Sequence, residues 1–325
     1  MTEKRNFELS FPVEIINWNG RIISLKPDRE IAAQLETLAA AGVSSVMIAG
    51  LHREEPLAFD LPKAAVRIGN IIHDYGFEIS SHHCLLPVFS PLTESQAPVR
   101  QIMEETVRFC HQLGTRTMVF HPGRISGRHI DVQSIFAGFE NEAAAHGVPR
   151  IIETVAENLR YMAENAAAAE MRIALENVGK FEPLADIGKL PELISKADMP
   201  NIGFCVDSGH AHAFGEPVSQ WIELAGNKLF ETHFHDNHAA LAGVTLPGAF
   251  IPSSKYFDQH LFPGMGTIEW NDTVKALLEV KYSGAVTFEV SLNPDVDALR
   301  QYRTIIDWWR HTEAKAQKAI VTGKQ

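Results

Sequence analysis

Short apolar stretches alternate with amphipathic stretches eight times along the 325-residue chain. The apolar stretches are rich in β-branched and aromatic residues, which is typical of strands buried on both faces. Between them, apolar residues recur at helical spacing, as in Ile31, Leu35 and Leu38. Eight βα units in a chain of this length predict a (β/α)8 TIM barrel of the α/β class, and a doubly wound open sheet is the structural alternative. We predict strands that begin near Val13, Val43, Phe77, Thr115, Met171, Ile202, Phe230 and Ala285.

Five of the predicted strands end in ionisable side chains. The runs are TMVFHPG, RIALENVG, IGFCVDSGH, FETHFHDN and AVTFEVS, and their terminal groups are His121, Glu176, Asp207 with His210, His233 with His235, and Glu289. The C-terminal ends of barrel strands meet on one face, so these groups would lie together. Burying so many ionisable groups is costly unless a cation compensates them. The sequence therefore predicts a divalent metal ion held by His nitrogens and carboxylate oxygens.

The last four predicted strands supply a set of four metal ligands. The set is Glu176, Asp207, His233 and Glu289. Three carboxylates and one imidazole suit Mn²⁺, Mg²⁺ or Co²⁺, and Zn²⁺ is also compatible. The alternative is that each residue lies at the surface just past its strand. This alternative is weaker for four residues on consecutive strands, because burying them together without a metal is costly.

A second group of polar residues is predicted to line the same mouth. It comprises His121, His210, Asp258 and His260, together with His82 or His83. These residues would bind substrate oxygens or further metal ions, with solvated loop positions as the alternative for Asp258 and His260. Adjacent residues of a strand point to opposite faces, so only one of His82 and His83 can face the site. We assign His82 to the site because it shares a face with Ser80.

The organisation of the chain predicts one domain over residues 1–325, since no repeat, linker or low-complexity segment interrupts the pattern. Two segments that follow strands, 124–149 and 237–266, are long and are predicted to be loops that form lids or substrate walls. Trp18, at the end of the first predicted strand, is either a pocket residue or part of the core.

Net charge narrows the class of partner, and the cysteines indicate the cellular compartment. The formal net charge is −11, which disfavours a nucleic-acid partner because phosphate binding relies on Lys and Arg. Cys84, Cys110 and Cys205 lie in apolar stretches, and they indicate reduced thiols and a cytoplasmic protein. We expect no signal peptide in MTEKRNFELSF and no membrane helix, since no stretch reaches the roughly 20 apolar residues that a span requires.

The motifs FHPG, ALENVG, FCVDSGHAHAFG, THFHDN, DQHLFPGMG and TFEVS together resemble the xylose-isomerase-like TIM-barrel superfamily. That group includes sugar isomerases, ketose 3-epimerases and the endonuclease IV repair enzymes. The resemblance to ketose 3-epimerases implies that His210 touches substrate and that one divalent ion is bound by Glu176, Asp207, His233 and Glu289. The resemblance to endonuclease IV implies three zinc ions held by His82 or His83, His121, Glu176, Asp207, His210, His233, Asp258, His260 and Glu289.

These observations predict a metal-dependent sugar or sugar-phosphate isomerase or epimerase that transfers a proton next to a carbonyl group. One of Glu176 and Glu289 would remove the proton and the other would return it, while the metal stabilises the developing charge on the substrate oxygens. The candidates for binding the substrate are His210, His121, His82, His260 and Trp18.

Two other functions remain open at this point, an endonuclease IV-like multinuclear hydrolase and a non-catalytic sugar-binding barrel. Residues 51–60 are acidic, and segment 237–266 carries one Lys and no Arg. A DNA enzyme must clamp a polyanion, so these segments favour a small carbohydrate as the partner. Barrels of this superfamily often associate, which makes a homo-oligomer a further expectation.

Overall fold

The computed structural model describes residues 6–18, 22–52, 57–127, 132–179, 182–238 and 258–322. Eight parallel strands close into a barrel, which confirms the predicted (β/α)8 fold. They are β1 (Leu9–Val13), β4 (Ser45–His52), β5 (Glu78–Leu85), β6 (Thr117–Phe120), β7 (Arg172–Glu176), β8 (Ile202–Asp207), β9 (Leu229–His233) and β10 (Val286–Thr287). Two further strands, β2 (Ile16–Trp18) and β3 (Ile23–Leu25), form a separate antiparallel pair. The barrel closes where β1 pairs with both β10 and β4.

Helices alternate with the barrel strands along the chain. In α1 the predicted apolar face of Ile31, Leu35 and Leu38 is fully buried. The helices are α1 (Asp28–Ala40), α2 (Leu61–Asp74), α3 (Ala97–Leu113), α4 (Val132–His146), α5 (Val148–Ala168), α6 (Lys189–Ala197), α7 (Ser208–Ala213), α8 (Val218–Ala225), α9 (Trp270–Glu279) and α10 (Ala298–Thr322). In the described part of the chain, none of them is long and apolar enough to cross a bilayer.

A small buried apolar cluster lies on four consecutive barrel strands. Its members come from β6 to β9 and are Val119, Ala174, Cys205 and Phe230. Strand side chains alternate between faces, so residues two positions further along point into the same interior. Two positions beyond Val119, Ala174 and Cys205 lie His121, Glu176 and Asp207. The alternation therefore brings these ionisable groups together at the C-terminal end of the barrel.

The first barrel strand lies earlier in the chain than predicted. Val13 is the last residue of β1, and residues 16–18 belong to β2, outside the barrel. The run VEIINW continues an equally apolar run, LSFPV, so hydrophobicity alone does not show where the chain leaves the barrel. In the structure, Glu14 is exposed directly after β1, and the N–H of Lys26 donates to the carbonyl of Ile15 at 2.9 Å.

The prediction of a long loop over 124–149 is wrong, because this segment contains α4. Ile135 and Phe139 lie one helical turn apart, and both are buried. The helix forms because these two apolar side chains can pack on one face. Of the second predicted loop, 237–266, residues 239–257 lie outside the described residues.

Candidate metal centre

Four of the predicted ligands converge at the C-terminal mouth of the barrel. Glu176, Asp207 and His233 are the last residues of β7, β8 and β9, and Glu289 follows β10 by two residues. His233 Nδ1 lies 3.3 Å from Glu176 Oε2 and 3.1 Å from Glu289 Oε2. Ligand atoms of Asp207, His233 and Glu289 all lie within 4.8 Å of one another. Strand-end position in the sequence thus translates into proximity in space.

Asp207 is fixed by both its backbone and its side chain. Its Oδ1 accepts a hydrogen bond of 2.7 Å from the backbone N–H of His210 and thereby caps α7. The side chain of Asn177 bonds the backbone N–H of Asp207 at 2.6 Å and its carbonyl at 3.0 Å. Since Asn177 directly follows Glu176, these bonds tie the ends of β7 and β8 to each other.

The ring of His235 can lie beside Asp207 because the residue that packs against this ring, Gly209, has no side chain. His235 Nε2 is 3.1 Å from Asp207 Oδ1. A Cβ atom on Gly209 would lie 1.9 Å from the His235 ring, so any other residue there would displace the ring. The structure thus places His235 inward, beside the other candidate ligands.

A second cluster forms around His83 and His121. The Nε2 atoms of the two rings are 3.0 Å apart. Glu176 Oε2 lies 3.4 Å from His83 Nε2 and 3.5 Å from His121 Nε2. His83 Nδ1 is also 3.8 Å from Glu289 Oε1, so its ring lies between the two glutamates.

The assignment of His82 to the site is wrong. His82 is buried on the opposite face of β5, where its ring packs 5.6 Å from that of Phe109 in α3. The assignment assumed regular alternation from Ser80 onward. In the structure, β5 gains one residue relative to β4 next to Ser80. This bulge reverses the alternation, so that His83 faces the site.

Replacing each of the two adjacent histidines by alanine, in separate variants, tests which of them faces the site. We expect His83→Ala to weaken the binding of Co²⁺ by about 10-fold or more, on the scale of losing a group that supports a metal centre. We expect His82→Ala to leave Co²⁺ affinity unchanged and to lower stability by roughly 2–5 kcal/mol through a core cavity. Chelator competition and thermal unfolding measure the two effects, and the reverse pattern would show that His82 faces the centre.

The third cluster contains the predicted D-x-H pair. His210 Nε2 lies 3.4 Å from Asp258 Oδ2, and His260 Nε2 lies 3.1 Å from the same oxygen. His260 Nδ1 donates to the carbonyl of Glu289 at 2.7 Å. The backbones of Leu261 and Asp236 exchange two hydrogen bonds, which hold this segment against the end of β9. Asp258 and His260 are therefore partly buried against the other candidate ligands, and the structure does not place them as solvated loop residues.

The charges of the centre are strongly coupled. Burial alone would raise the pKa of Glu176, but His233 and His121 hold it well below its usual range. Burial would also raise the pKa of Glu289, but His233 and His83 outweigh burial and lower that pKa. Both glutamates are therefore ionised at neutral pH. Burial lowers the pKa of His83 to about 4, despite the nearby carboxylates, so this imidazole is neutral and offers a lone pair.

In two other histidines the pKa is raised rather than lowered. Burial would lower the pKa of His210, but Asp207 and Asp258 raise it well above its usual value. For His260, the hydrogen bond to Asp258 and the charge of that carboxylate outweigh burial and raise the pKa to about 10. Asp258 itself has a pKa well below its usual range, because His210 and His260 outweigh the effect of its burial. Without a metal, these groups form ion pairs with one another.

The donor set fits a divalent cation. Glu176 Oε2, His233 Nδ1 and Asp258 Oδ1 are buried and form no hydrogen bond within the described residues. Buried polar atoms in proteins are normally hydrogen bonded, so such atoms within a cluster of ligand-type side chains indicate a missing partner. Nitrogen and carboxylate donors suit Mn²⁺, Co²⁺ or Zn²⁺. In the described part of the chain, four triads of this centre bring their ligand atoms within 4.8 Å.

Some residues of the centre carry no sequence signal. Glu182 and Arg124 lie behind His121, and Asn177 lies behind Asp207. They occupy loops or follow a strand end, where polar residues are ordinary. The side chain of Trp18, a predicted pocket residue, lies outside the described residues, although its backbone ends β2.

Comparison with known proteins identifies relatives of the chain. The family model described as xylose isomerase-like TIM barrel matches residues 35–312. A probable endonuclease 4 of Halorhodospira halophila is 26% identical over 211 residues, which cover 63% of this chain and 64% of the relative. The inosose isomerase of Halalkalibacterium halodurans is 24% identical over 195 residues, which cover 55% of this chain and 66% of the relative. The chain thus spans a little under two thirds of these relatives' lengths.

Solved structures share the complete fold at low sequence identity. An L-ribulose 3-epimerase superposes with a TM-score of 0.69 at 16% identity, and the alignment covers 98% of this chain and 99% of that one. The D-psicose 3-epimerase of Clostridium cellulolyticum H10 gives a TM-score of 0.66 at 15% identity, with 93% and 99% covered. At this identity the likeness demonstrates a common barrel.

Proposed function

Because the chain belongs to the xylose isomerase-like TIM barrel family, we propose that it is a divalent-metal-dependent isomerase or epimerase of a small sugar or related polyhydroxy ketone. One observation carries the proposal: two ionised glutamates, Glu176 and Glu289, approach the same His233 nitrogen at 3.3 and 3.1 Å. A pair of carboxylates at one metal centre is the arrangement that proton removal and return require. Relatives named inosose isomerase and structural neighbours named 3-epimerase support this class.

The chain's own residues divide the work as follows. Glu176, Asp207, His233 and Glu289 would hold the ion, which supplies polarisation of a carbonyl oxygen and offsets the charge that develops on it. One of the two glutamates takes the proton from the carbon next to the carbonyl, and the other returns a proton. Return to the opposite face of that carbon gives epimerisation, and return to the neighbouring carbon gives isomerisation. Burial limits access of water to Glu176, whose side chain is 1% exposed, while Glu289, at 24%, faces the open cleft.

His210 is proposed to orient the substrate. Its Nδ1 lies 3.2 Å from Glu176 Oε1 and its Nε2 lies 3.4 Å from Asp258 Oδ2, so the ring lies next to the proton-transfer carboxylate. A hydrogen bond from this ring to a substrate oxygen would align the reacting carbon with Glu176.

Solvent exchange tests the proposal without knowledge of the natural substrate. A panel of ketoses, aldoses and cyclic polyol ketones is incubated in D₂O with the metal-loaded protein. The proposed function predicts deuterium at the carbon next to the carbonyl of at least one compound, and it predicts that a chelator prevents this. No exchange with any member of a broad panel would favour a non-catalytic sugar-binding barrel.

The His210→Ala variant separates the isomerase from the hydrolase. We expect metal content to stay nearly unchanged and kcat/KM for exchange to fall on the order of 10²-fold, because orientation is lost. In an endonuclease IV-like centre His210 is itself a ligand, so its loss would reduce the metal bound per chain. Elemental analysis of the variant measures this, and a clear drop in bound metal would count against the isomerase.

A phosphoester hydrolase is the second candidate, and the additional donors His83, His121, Asp258 and His260 favour it. The surrounding charge favours a neutral ligand. A cleft of about 850 Å³ opens beside Glu289 and His260, and Lys26 is the only Lys or Arg among its described lining residues. Lys26 pairs with Glu14 at 3.0 Å. A polyanionic substrate would find little compensation on this wall.

A further inference from the structure

Glu182 is a buried carboxylate that lies behind the centre and faces His121. Its side chain is 4% exposed. His121 Nδ1 and Arg124 Nη2 both lie 2.9 Å from Glu182 Oε1. An ionised carboxylate only accepts hydrogen bonds, so the proton of this contact is on His121 Nδ1. The Arg124 guanidinium donates to the same oxygen and holds it in place.

The HPG turn after β6 makes this contact possible. A Cβ atom on Gly123 would lie 2.2 Å from the carbonyl oxygen of Pro183. Only glycine lets the turn approach the segment after β7 this closely. The approach brings His121 and Arg124, on either side of the turn, against Glu182. The close packing of two loops therefore builds the support behind His121.

The hydrogen bond to Glu182 determines which nitrogen of His121 faces the centre. With Nδ1 bonded to Glu182, Nε2 points toward His83 Nε2 at 3.0 Å and Glu176 Oε2 at 3.5 Å. A ring turned the other way would lose the bond to Glu182 and would leave that carboxylate buried beside Arg124 alone. A carboxylate behind a histidine in this manner fixes both the tautomer and the ring orientation of a metal ligand.

We propose that Glu182, held by Arg124, is a positioning residue for His121 and thereby sets how tightly the His83–His121–Glu176 end of the centre binds a divalent cation. This inference rests on the proposed function in that both place a metal in the same centre. It concerns the affinity for the ion, which is measured without any substrate.

Two variants of Glu182 and one control test the inference. Glu182→Ala removes the acceptor. Glu182→Gln keeps an oxygen at the position of Oε1, which accepts both bonds, and places the amide group at Oε2, which forms no hydrogen bond within the described residues. Asp186→Asn is the control, since Asp186 follows β7 in the same segment and bonds Lys189 and Gly188 away from the centre.

Affinity for Co²⁺ is measured by chelator competition, together with thermal unfolding of the metal-free proteins. We expect Glu182→Ala to weaken the binding of one ion by about 10- to 100-fold. We expect Glu182→Gln to stay within a few-fold of the parent protein, and Asp186→Asn to match it. Rescue by the amide would show that the acceptor at Oε1, and not the charge, positions His121.

Two results would overturn the inference. One is an unchanged Co²⁺ affinity in Glu182→Ala. The other is an equal loss in both Glu182 variants that accompanies a lower unfolding temperature, which would mean that the residue only supports the fold. Failure of the exchange assay in the parent protein would reject the proposed isomerase, but it would leave these affinity results standing.

Discussion

The Glu289→Gln variant and the Glu176→Gln variant should each exchange deuterium into substrate about 10²- to 10⁴-fold more slowly than the parent protein, since this is the usual contribution of a general acid or base. Gln has nearly the shape of Glu but cannot accept the proton. Its amide oxygen can still face a cation, so some metal should remain bound. The assay compares exchange rates in D₂O and metal content for the parent and the two variants.

The control for this prediction is Glu313→Gln. Glu313 is also buried, but it accepts from the N–H of Phe7 at 3.0 Å and from Arg310 at 2.9 Å, away from the barrel mouth. We expect this variant to lose stability and to keep its exchange rate. If Glu176→Gln and Glu289→Gln both exchange deuterium at the parent rate, neither glutamate is the base.

Replacing Asp207 by Ala should produce the largest loss of metal. Asp207 is fully buried among the other predicted ligands. We expect its removal to weaken Co²⁺ binding by more than about 100-fold. Losing a residue that only hydrogen bonds to a ligand costs about 10- to 100-fold, and losing a ligand itself should cost more. The same change removes the cap of α7, which should cost about 1 kcal/mol of stability.

Asp207→Asn separates these two effects. Asn caps a helix about as well as Asp, so the metal-free variant should unfold close to the parent protein. A neutral amide is a weaker ligand than a carboxylate, so Co²⁺ affinity should still fall strongly. Parent-like Co²⁺ affinity in Asp207→Ala would show that the ion binds elsewhere.

Sequence pattern was sufficient for the barrel and for placing the four proposed ligands on one face of it. Strands buried on both faces give continuous apolar runs, and a charged residue at the end of such a run is conspicuous. In a closed parallel barrel every strand ends on the same face, so proximity follows from the topology. For this reason Glu176, Asp207, His233 and Glu289 could be grouped before the fold was known.

Details that depend on pairing between strands could not be predicted in the same way. The bulge next to Ser80 arises from the register between β4 and β5, and it decided between His82 and His83. No property of β5 alone shows that register. The start of β1 was misplaced for a related reason, since two apolar runs adjoin and only their partners distinguish them.

The supporting residues escaped prediction because their contacts join distant segments. Glu182 reaches His121 only because two loops pack closely at Gly123. Asn177 ties β7 to β8 through backbone groups that any residue would offer. These side chains have no periodic pattern, and their roles appear only once the strand ends are brought together.

Anomalous diffraction from crystals grown with Mn²⁺ tests the central claim most directly. The account predicts a peak bonded at about 2.0–2.3 Å to side-chain atoms of Glu176, Asp207, His233 and Glu289. Data collected on either side of the manganese absorption edge would identify the element. The absence of a peak, or a peak more than about 4 Å from these four side chains and thus beyond bonding range, would contradict it.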